Sequence, residues 1–534
     1  MQNMAFKPLS IDAKYWDNLT IQDSDLEIIY NHLLEIEIPQ DSQELTAVLI
    51  DERIKQEKKT LENDKLAGST IYLPKHRYQV DQHLIFPTLN WQKGKVAGIR
   101  EGHNPELLPF DVIEVVLDSG DKHFFAAGIE NHILNQPVSI NLNDPKLDSK
   151  YVIQKYGEWL ANQLTNRLEN NPDLVCIAGK WFPKALLVDV NVGYLNLAEA
   201  LLEMESGKPL LTKTILEQIE LPTDVNSKLT EFSLNLALQQ DSRFDEVGPA
   251  GEILWFLKRL EPEWVQQTPS YLKFSAITYD HTHISDLVKV IENEVQDELE
   301  IEESPSWDVN ETTISLIFPH WRSGTLPLPT QIRRLFPTAY EAPRVLFTFV
   351  DGDSGQKFYG WVVRSSRYVF GLKDWYAGQG LIPGSLIHII RGKNRGEVII
   401  KAEKKRSARE WIRTALIGAD GGIVFAMLKQ LVSANYNERM AIVIPDLHAL
   451  EKIWEQSNRQ RGTLEQVVLL MMKELTKLSP QGHVHAQELY AAVNIVRRCP
   501  PGPILSILVE QPWAKHLGDL YFRLNESYQE EQRQ

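Results

Sequence analysis

One strongly basic segment decides the fold of this chain, and it opens with Ser323-Gly-Thr-Leu-Pro-Leu-Pro-Thr-Gln-Ile-Arg-Arg-Leu-Phe-Pro337. Residues 311–410 hold 16 lysines and arginines against 8 acidic residues, whereas all 534 residues together carry a net charge of −16. Phosphate groups respond to the local field of a protein rather than to its total charge. The segment is therefore a candidate nucleic-acid-binding domain, although a charged face can also be merely solvated.

Short strands dominate this segment. Alternating apolar residues and intervening turns predict about seven of them, at 313–318, 325–328, 344–350, 358–363, 368–370, 386–390 and 397–401. So many short strands in about ninety residues predict a closed barrel or a sandwich between residues 311 and 405.

Two runs of this segment resemble known DNA-binding domains. Gly324-Thr-Leu-Pro-Leu-Pro-Thr-Gln-Ile-Arg-Arg-Leu335 resembles the strand–proline–helix motif of swapped-hairpin transition-state regulators. Phe370-Gly-Leu-Lys-Asp-Trp-Tyr-Ala-Gly-Gln-Gly-Leu-Ile-Pro-Gly-Ser-Leu-Ile387 resembles the pseudobarrel domain of plant auxin-response regulators. Those domains place two arms in the DNA major groove. The resemblance implies a first arm at 320–324 and a second at 364–367.

Nine basic residues are the expected contacts with nucleic acid. Arginine binds guanine edges with two hydrogen bonds, so the arm residues Arg322, Arg364 and Arg367 are expected in the groove. Contacts with phosphate groups, which position the protein without reading sequence, are expected from Arg333, Arg334, Lys373, Arg391, Lys393 and Arg395. The alternative is that the barrel is a scaffold or a protein-binding module whose arginines face solvent.

Two further segments share one order of elements. Helices are predicted at 195–204, 214–219 and 227–240, followed by a hairpin at 243–257, and the same order recurs at 464–524. Three helices followed by a hairpin predict a winged helix. Both segments resemble the HARE-HTH domain and the delta subunit of bacterial RNA polymerase, in which the hairpin ends in an aromatic pair. The corresponding pairs here are Trp255-Phe256 and Tyr521-Phe522.

The remaining sequence completes an α+β multidomain protein with a small β-barrel, two winged-helix domains and a pseudobarrel domain. Lys93-Gly-Lys-Val-Ala-Gly-Ile99 resembles KOW-type small barrels. The acidic stretch 286–311 predicts an amphipathic helix, which is either a solvated linker or a cover that competes with DNA for the basic domain. The predicted domains are a helical region at 1–77, a KOW-like barrel at 78–140, a helix plus winged helix at 150–262, an acidic linker or helix at 263–310, the pseudobarrel at 311–405, a helical connector at 406–460 and a second winged helix at 461–526.

Several function classes lack their usual sequence features. No apolar run is long enough to span a membrane and no signal pattern opens the chain, so we expect a cytoplasmic protein without a membrane partner. Cys176 and Cys499 are far apart, which argues against a disulfide framework or a zinc site. No phosphate-binding loop, nucleophile elbow or HExxH motif occurs, and we therefore expect no enzyme activity and no cofactor.

The sequence thus predicts a protein that binds double-stranded DNA through several weak modules, which raise one another's local concentration, in transcriptional regulation. The alternative is a protein-interaction factor that docks on RNA polymerase. A contiguous basic surface favours DNA, whereas acidic and apolar faces favour a protein partner. A nuclease or defence effector is a third class and requires an acidic metal site that the sequence does not reveal.

Overall fold

The computed structural model describes residues 15–66, 70–89, 92–104, 108–135, 145–205, 207–221, 224–280, 282, 284–299, 309–418, 421–459 and 462–525. The chain divides into two compact units, one formed by Met1–Val188 with Thr223–Phe232 and the other by Asp189–Pro222 with Ser233–Gln534. Both contain helices and sheets, so the protein is a mixed α+β structure. No helix in the described ranges is long and apolar enough to cross a membrane.

The first unit combines two small sheets with three long helices. Its elements are α1 Asp23–Ile36, β1 Gln40–Asp41, α2 Ser42–Leu66, β2 Thr70–Ile71, β3 His83–Phe86, β4 Gln92–Gly102, β5 Phe110–Leu117, β6 Lys122–Ala127, α3 Ser149–Glu169, β7 Leu174–Ile177 and β8 Lys180–Pro183. Short 3₁₀ helices lie at Pro87–Leu89, Ile133–Asn135, Pro145–Leu147 and Lys184–Leu186.

Strands β2 to β6 form a five-stranded sheet in sequence order. Alternate residues of β4 and β5, such as Val96, Ile113 and Val115, are fully buried on its inner face. The two edge strands approach each other, because the Tyr72 hydroxyl donates to the Ala126 carbonyl at 2.5 Å. This sheet occupies the region predicted as a small barrel at 78–140, of which residues 90–91, 105–107 and 136–140 lie outside the described residues.

The sequence predicted that the helix at 149–169 shares a domain with the helices that follow it. In the structure this helix, α3, belongs to the first unit instead. Strand β8 pairs with β1, with Gln40 opposite Trp181, and the three strands form a sheet in the order β1-β8-β7. Helices α2 and α3 pack together around Ile50, Ile54, Val152 and Leu160. The five-stranded sheet is therefore inserted between the second and third helices of a three-helix unit with a terminal hairpin. Local patterns did not reveal this pairing because 140 residues of chain separate the strands.

The second unit begins with a helix–hairpin segment and ends with another. Its elements are α4 Val192–Met204, β9 Leu210–Leu211, α5 Thr212–Ile219, α6 Ser227–Gln240 (which starts in the first unit), β10 Phe244–Glu246, β11 Leu254–Leu257, α7 Glu263–Gln266, α8 Ser285–Val295, β12 Glu311–Ser315, α9 Phe318–Ser323, β13 Thr325–Pro327, α10 Thr330–Arg333, β14 Arg344–Asp351, β15 Lys357–Val363, β16 Tyr368–Phe370, α11 Lys373–Gln379, β17 Leu386–Arg391, β18 Glu397–Ala402, β19 Lys404–Ile417, β20 Ile423–Ala434, α12 Leu447–Arg459, α13 Leu464–Thr476, β21 His483–His485, α14 Ala486–Val496, α15 Pro501–Glu510, β22 Ala514–Gly518 and β23 Tyr521–Leu524. Further 3₁₀ helices lie at Lys258–Leu260 and Ser270–Leu272.

The helices and hairpins expected at 192–257 and 464–524 are present. In each segment the short strand before the second helix pairs with the last strand of the hairpin, which gives the orders β10-β11-β9 and β21-β23-β22. The indole of Trp255 is buried and donates to Thr212 Oγ1 at 3.1 Å and to Asn235 Oδ1 at 2.9 Å. A buried N–H group needs such an acceptor, because leaving it unpaired costs about 1–3 kcal/mol.

All seven strands predicted in the basic segment form one sheet, in the order β12-β17-β18-β14-β15-β16-β13. Neighbouring strands are antiparallel except β14 and β18, which are parallel. The buried side chains of Val345, Phe347, Phe349, Ile387 and Ile400 belong to its core. We call the end that contains residues 328–344, 364–367 and 391–396 the upper end, and the end that contains 316–324, 351–357 and 371–385 the lower end.

The segment predicted as a helical connector at 406–460 is mainly a β-hairpin. Strands β19 and β20 pair from Lys404 to Ala434, and only α12 is helical. The helix was inferred from the charged run before Trp411. The β-branched residues after Trp411 and the glycine-rich turn between the two strands favour a hairpin instead.

The acidic stretch forms the amphipathic helix α8, and this helix belongs to the core of the second unit. Val288, Ile291 and Val295 are buried at helical spacing and pack in a cluster with residues of α13, α14 and α15. It is neither a solvated linker nor a detachable cover, because burial of its apolar face holds it in place. Residues 300–308 of the stretch lie outside the described residues.

Candidate nucleic-acid interface

Seven of the nine predicted contact residues lie at the upper end of the seven-stranded sheet. They come from three connections that meet there because β14 begins, β15 ends and β17 ends at the same edge. All seven are exposed, and they are Arg333, Arg334, Arg364, Arg367, Arg391, Lys393 and Arg395. The sheet thus gathers basic side chains from three separate sequence segments at its upper end, and we call this set of seven residues the upper basic surface.

The turn between β17 and β18 carries three of these residues. The guanidinium of Arg391 donates to the carbonyl of Arg334 at 3.4 Å, so the turn lies next to α10. Arg395 extends over the backbone of Gly251, at which a Cβ atom would lie 2.4 Å from Arg395 Nη1. Gly251 has φ +98°, a backbone conformation that favours glycine.

The helix α10 presents Arg333 and Arg334. It follows Pro329, whose fixed φ suits a helix start, and it spans a single turn. Ile332 is fully buried and fixes the rotation of the helix. Its neighbours Arg333 and Arg334 therefore remain exposed.

The turn between β15 and β16 carries Arg364 and Arg367. Arg364 Nη1 donates to the carbonyl of Ala342 at 2.9 Å, and Arg367 Nη1 donates to the carbonyl of Glu298 at 3.2 Å. These bonds to backbone carbonyls orient both guanidiniums. Arg367 has φ +51°, a left-handed conformation that a tight turn requires.

The first predicted arm is wrong. Residues 318–323 form α9, and His320 within it is fully buried between Thr325 and Glu298. Arg322 is half-buried, pairs with Glu451 and lies 6.0 Å from the ring centre of Tyr271. Its guanidinium is therefore held by contacts within the protein.

The two predicted arms also lie at opposite ends of the sheet. Strands β13 and β16 are antiparallel neighbours, with Thr325 opposite Phe370 and Pro327 opposite Tyr368. The connection that enters β13 is therefore at the lower end, whereas the connection that enters β16 is at the upper end. Lys373, which is exposed at the start of α11, shares the lower end with Arg322. Two of the nine residues are thus separated from the upper basic surface.

A second set of basic residues lies on the β19–β20 hairpin, where the sequence predicted a helix at 401–411 that could extend the phosphate contacts. Lys429 Nζ lies 5.4 Å from the ring centre of Trp411, which is 61% exposed and directly opposite it in the register. The exposed cations on these strands are Lys404, Arg406, Arg409 and Lys429. No β-branched residue lies between Lys404 and Glu410, so this part of the strand lacks the usual sequence signal.

The electrostatics next to the upper end are mixed. Arg344 at the start of β14 contacts Asp245 at 2.6 Å and the buried Glu261 at 3.3 Å. Burial and then the neighbouring Asp245 raise the pKa of Glu261 above its ordinary value. Asp245 neutralises Arg344, so Arg344 does not add to the upper basic surface.

A set of exposed arginines and lysines on turns can bind phosphate oxygens by charge-assisted hydrogen bonds. Among the described residues, no group of three or more histidine, cysteine or acidic side chains is placed to hold a metal ion.

The comparisons with known proteins add no assignment. No family model matches this chain, and neither a curated protein nor a solved structure matches it.

Proposed function

We propose that this protein binds double-stranded DNA through the upper basic surface of the seven-stranded sheet. The observation that carries the proposal is the gathering of seven exposed basic residues from three connections at one end of one sheet. Like charges at one end of a sheet repel one another, and a bound polyanion relieves that repulsion. Convergence of this kind supplies the local positive field that phosphate groups require.

The surface suits phosphate groups better than base edges. Its side chains come from short turns and a single helical turn, and no element at the upper end is long enough to fill a major groove. Phosphate contacts position a protein on DNA without reading sequence. We therefore infer binding that depends strongly on salt and weakly on sequence.

The helix–hairpin segments of the second unit have a supporting role in this proposal. In a helix-turn-helix protein the helix after the turn enters the major groove. Here α15 occupies that position, and it buries Pro501, Ile504, Leu505 and Leu508. Helix α6 likewise buries Leu234 and Leu238. In this proposal these helices stabilise their domains and the upper basic surface alone binds DNA, which departs from the multivalent binding that the sequence predicts.

A protein-interaction role in transcription is the second candidate, and one observation favours it. The five-stranded sheet of the first unit exposes Ile99 at 41% and Phe124 at 61%, and the connection between β4 and β5 exposes Leu108 at 86%. Large exposed apolar side chains can mark protein-binding surfaces. This candidate assigns docking to the first unit, and it makes no use of the upper basic surface.

A binding experiment separates the two candidates. Fluorescence anisotropy with a labelled duplex of about 30 base pairs of random sequence, at about 50 mM salt, measures the affinity for DNA. We expect binding by the full chain, and a loss of about tenfold or more for Arg391→Ser/Lys393→Ser/Arg395→Ser. The matched control Lys373→Ser/Lys404→Ser/Arg406→Ser removes equal charge away from the upper end, and it should retain affinity. If the full chain does not bind at this salt concentration, the DNA proposal fails and the protein-interaction candidate remains.

A further inference from the structure

A cavity of about 460 Å³ lies between the β19–β20 hairpin and the C-terminal helix–hairpin segment. This volume is within the range of small-molecule sites, which is about 300–1,000 Å³. Its wall has two chemically different parts. One is apolar, with Trp411, Met427, Leu475 and Leu478, and the other is polar and includes Arg413 and Arg439.

Arg413 is a cation built into the cavity wall. Its side chain is about nine-tenths buried on β19, and Nη1 donates to the carbonyl of Arg439 at 2.8 Å while Nη2 pairs with Glu488. Nε has no hydrogen-bond partner among the described residues. Arg413 lines the cavity, so its guanidinium places a positive charge in this part of the wall.

Glu488 neutralises the charge of Arg413 and leaves that of Arg439 in the wall. One of its oxygens pairs with Arg413, and the other accepts a hydrogen bond from the backbone N–H of His485 at 3.0 Å as part of the helix cap of α14. Both oxygens of Glu488 therefore make contacts within the wall. Glu438 also lines the cavity and is exposed.

Arg439 supplies a second cation, and its contacts are with a neutral side chain. Its guanidinium donates to the Tyr521 hydroxyl at 3.2 Å and lies 5.7 Å from the centre of that ring. The field of Arg439 reaches His485, where burial and then this charge lower the pKa to about 4. His485 is consequently neutral at pH 7, so the positive charge of the wall comes from its arginines.

The polar part also offers flat aromatic faces. The ring of Tyr521 is flanked edge to face by His483 at 5.1 Å and His485 at 4.8 Å. Trp411 stands across the cavity on the hairpin. Planar ligands pack well against such surfaces.

From these features we propose that the cavity binds a small organic anion, a carboxylate or a phosphate attached to a flat aromatic group. The anionic group lies next to Arg413 and Arg439, and the aromatic group packs against Trp411 and the other side chains of the apolar part. This site is separate from the upper basic surface, and it does not depend on DNA binding.

Isothermal titration calorimetry of the full chain tests the site with two matched pairs of probes. AMP is compared with adenosine, and 2-naphthoate with 2-naphthamide, so that each anion has a neutral counterpart. We expect at least one anion to bind with a dissociation constant below about 1 mM, and at least tenfold more tightly than its counterpart. The same binding is expected in the Arg391→Ser/Lys393→Ser/Arg395→Ser variant, which distinguishes the cavity from the upper basic surface.

Two substitutions at Met427, which is 43% exposed on β20 beside Arg413, keep the test independent of folding. Met427→Glu brings a negative charge to the cavity and should weaken anion binding by about tenfold, whereas Met427→Lys should not weaken it. Arg413→Gln should abolish the preference for the anion. The proposal is overturned if neither anion binds, if each anion and its neutral counterpart bind equally, or if the two Met427 variants weaken binding to the same extent.

Discussion

Arg498 and Asp297 form a fully buried ion pair, although 201 residues separate them in the sequence. Arg498 Nη1 lies 2.9 Å from Asp297 Oδ2, and Arg498 Nη2 lies 2.8 Å from an oxygen of Glu298. His320 of α9 contacts the other oxygen of Glu298 at 2.9 Å. This network joins the acidic segment after α8, the lower end of the seven-stranded sheet and the C-terminal helices. It explains why the acidic segment is a structural element of the second unit.

Removal of Arg498 should strongly destabilise the second unit. Arg498→Met leaves Asp297 and Glu298 buried without their cation, and loss of one member of a buried pair costs about 3–5 kcal/mol. Urea denaturation measures the free energy of unfolding. As a control, Lys357→Ala removes a solvent-exposed partner of Glu397, and it should cost less than about 1 kcal/mol. Equal losses in the free energy of unfolding for the two variants would show that the buried network does not stabilise the second unit.

Glu261 should make the protein less stable as the pH rises. Burial raises the pKa of this carboxyl, and the adjacent Asp245 raises it further. The unfolded chain releases the proton near pH 4.3, whereas the folded chain retains it to higher pH, so the free energy of unfolding falls from that point upward. Glu261→Gln cannot ionise. Its stability relative to the wild type should therefore increase between pH 5 and pH 8, by about 1 kcal/mol after allowance for solvent screening.

Glu397 is a control for this measurement, because its contribution to stability changes with pH in the opposite direction. A hydrogen bond from Lys357 lowers the pKa of the Glu397 carboxyl. Its contribution is present above the pKa of the unfolded state and is lost as the pH falls through the folded value. Any destabilisation by Glu397→Gln should therefore disappear in acid. A stability difference between wild type and Glu261→Gln that is the same at pH 5 and pH 8 would refute the assignment for Glu261.

Gly384 should not tolerate a side chain. It has φ +95°, and a Cβ atom there would lie 2.4 Å from the Cα atom of Ala441. Gly384→Ala should lower the free energy of unfolding by more than about 2 kcal/mol, because both the backbone and its neighbour must move. Gly378 in α11 is the matched control, since it has open space at its Cβ position. Gly378→Ala should stabilise the protein by about 0.5–1 kcal/mol. Thermal denaturation of the two variants, compared with the wild type, measures the contrast.

Local patterns predicted most individual strands and helices but not their assembly. The seven strands of the basic segment were found because apolar alternation and turn residues bound each one. The misplacement of the arm at 320–324 has a different origin. It depends on β13 pairing with β16, and register between distant strands is set by the packed sheet. The same reason hid the pairing of β1 with β8, which places the five-stranded sheet as an insertion.

The sequence predicted only part of the candidate site, because contacts between distant residues decide which basic side chains stay exposed. Exposed arginines in turns such as 391–396 can be recognised from charge and glycine spacing. Arg322 looks equivalent in the sequence, but its ion pair with Glu451 depends on a residue 129 positions away. The cavity beside Arg413 could not be foreseen, because the charged run before Trp411 was interpreted as a helix.

The salt dependence of DNA affinity tests the central claim most directly. Each phosphate contact contributes about 0.9 to the slope of log K against log salt concentration. We predict that Arg391→Ser/Lys393→Ser/Arg395→Ser reduces the magnitude of the wild-type slope by about 2–3, and that Lys373→Ser/Lys404→Ser/Arg406→Ser leaves it unchanged. Equal slopes for the wild type and the upper-end variant would contradict the assignment of the upper basic surface as the DNA-binding site.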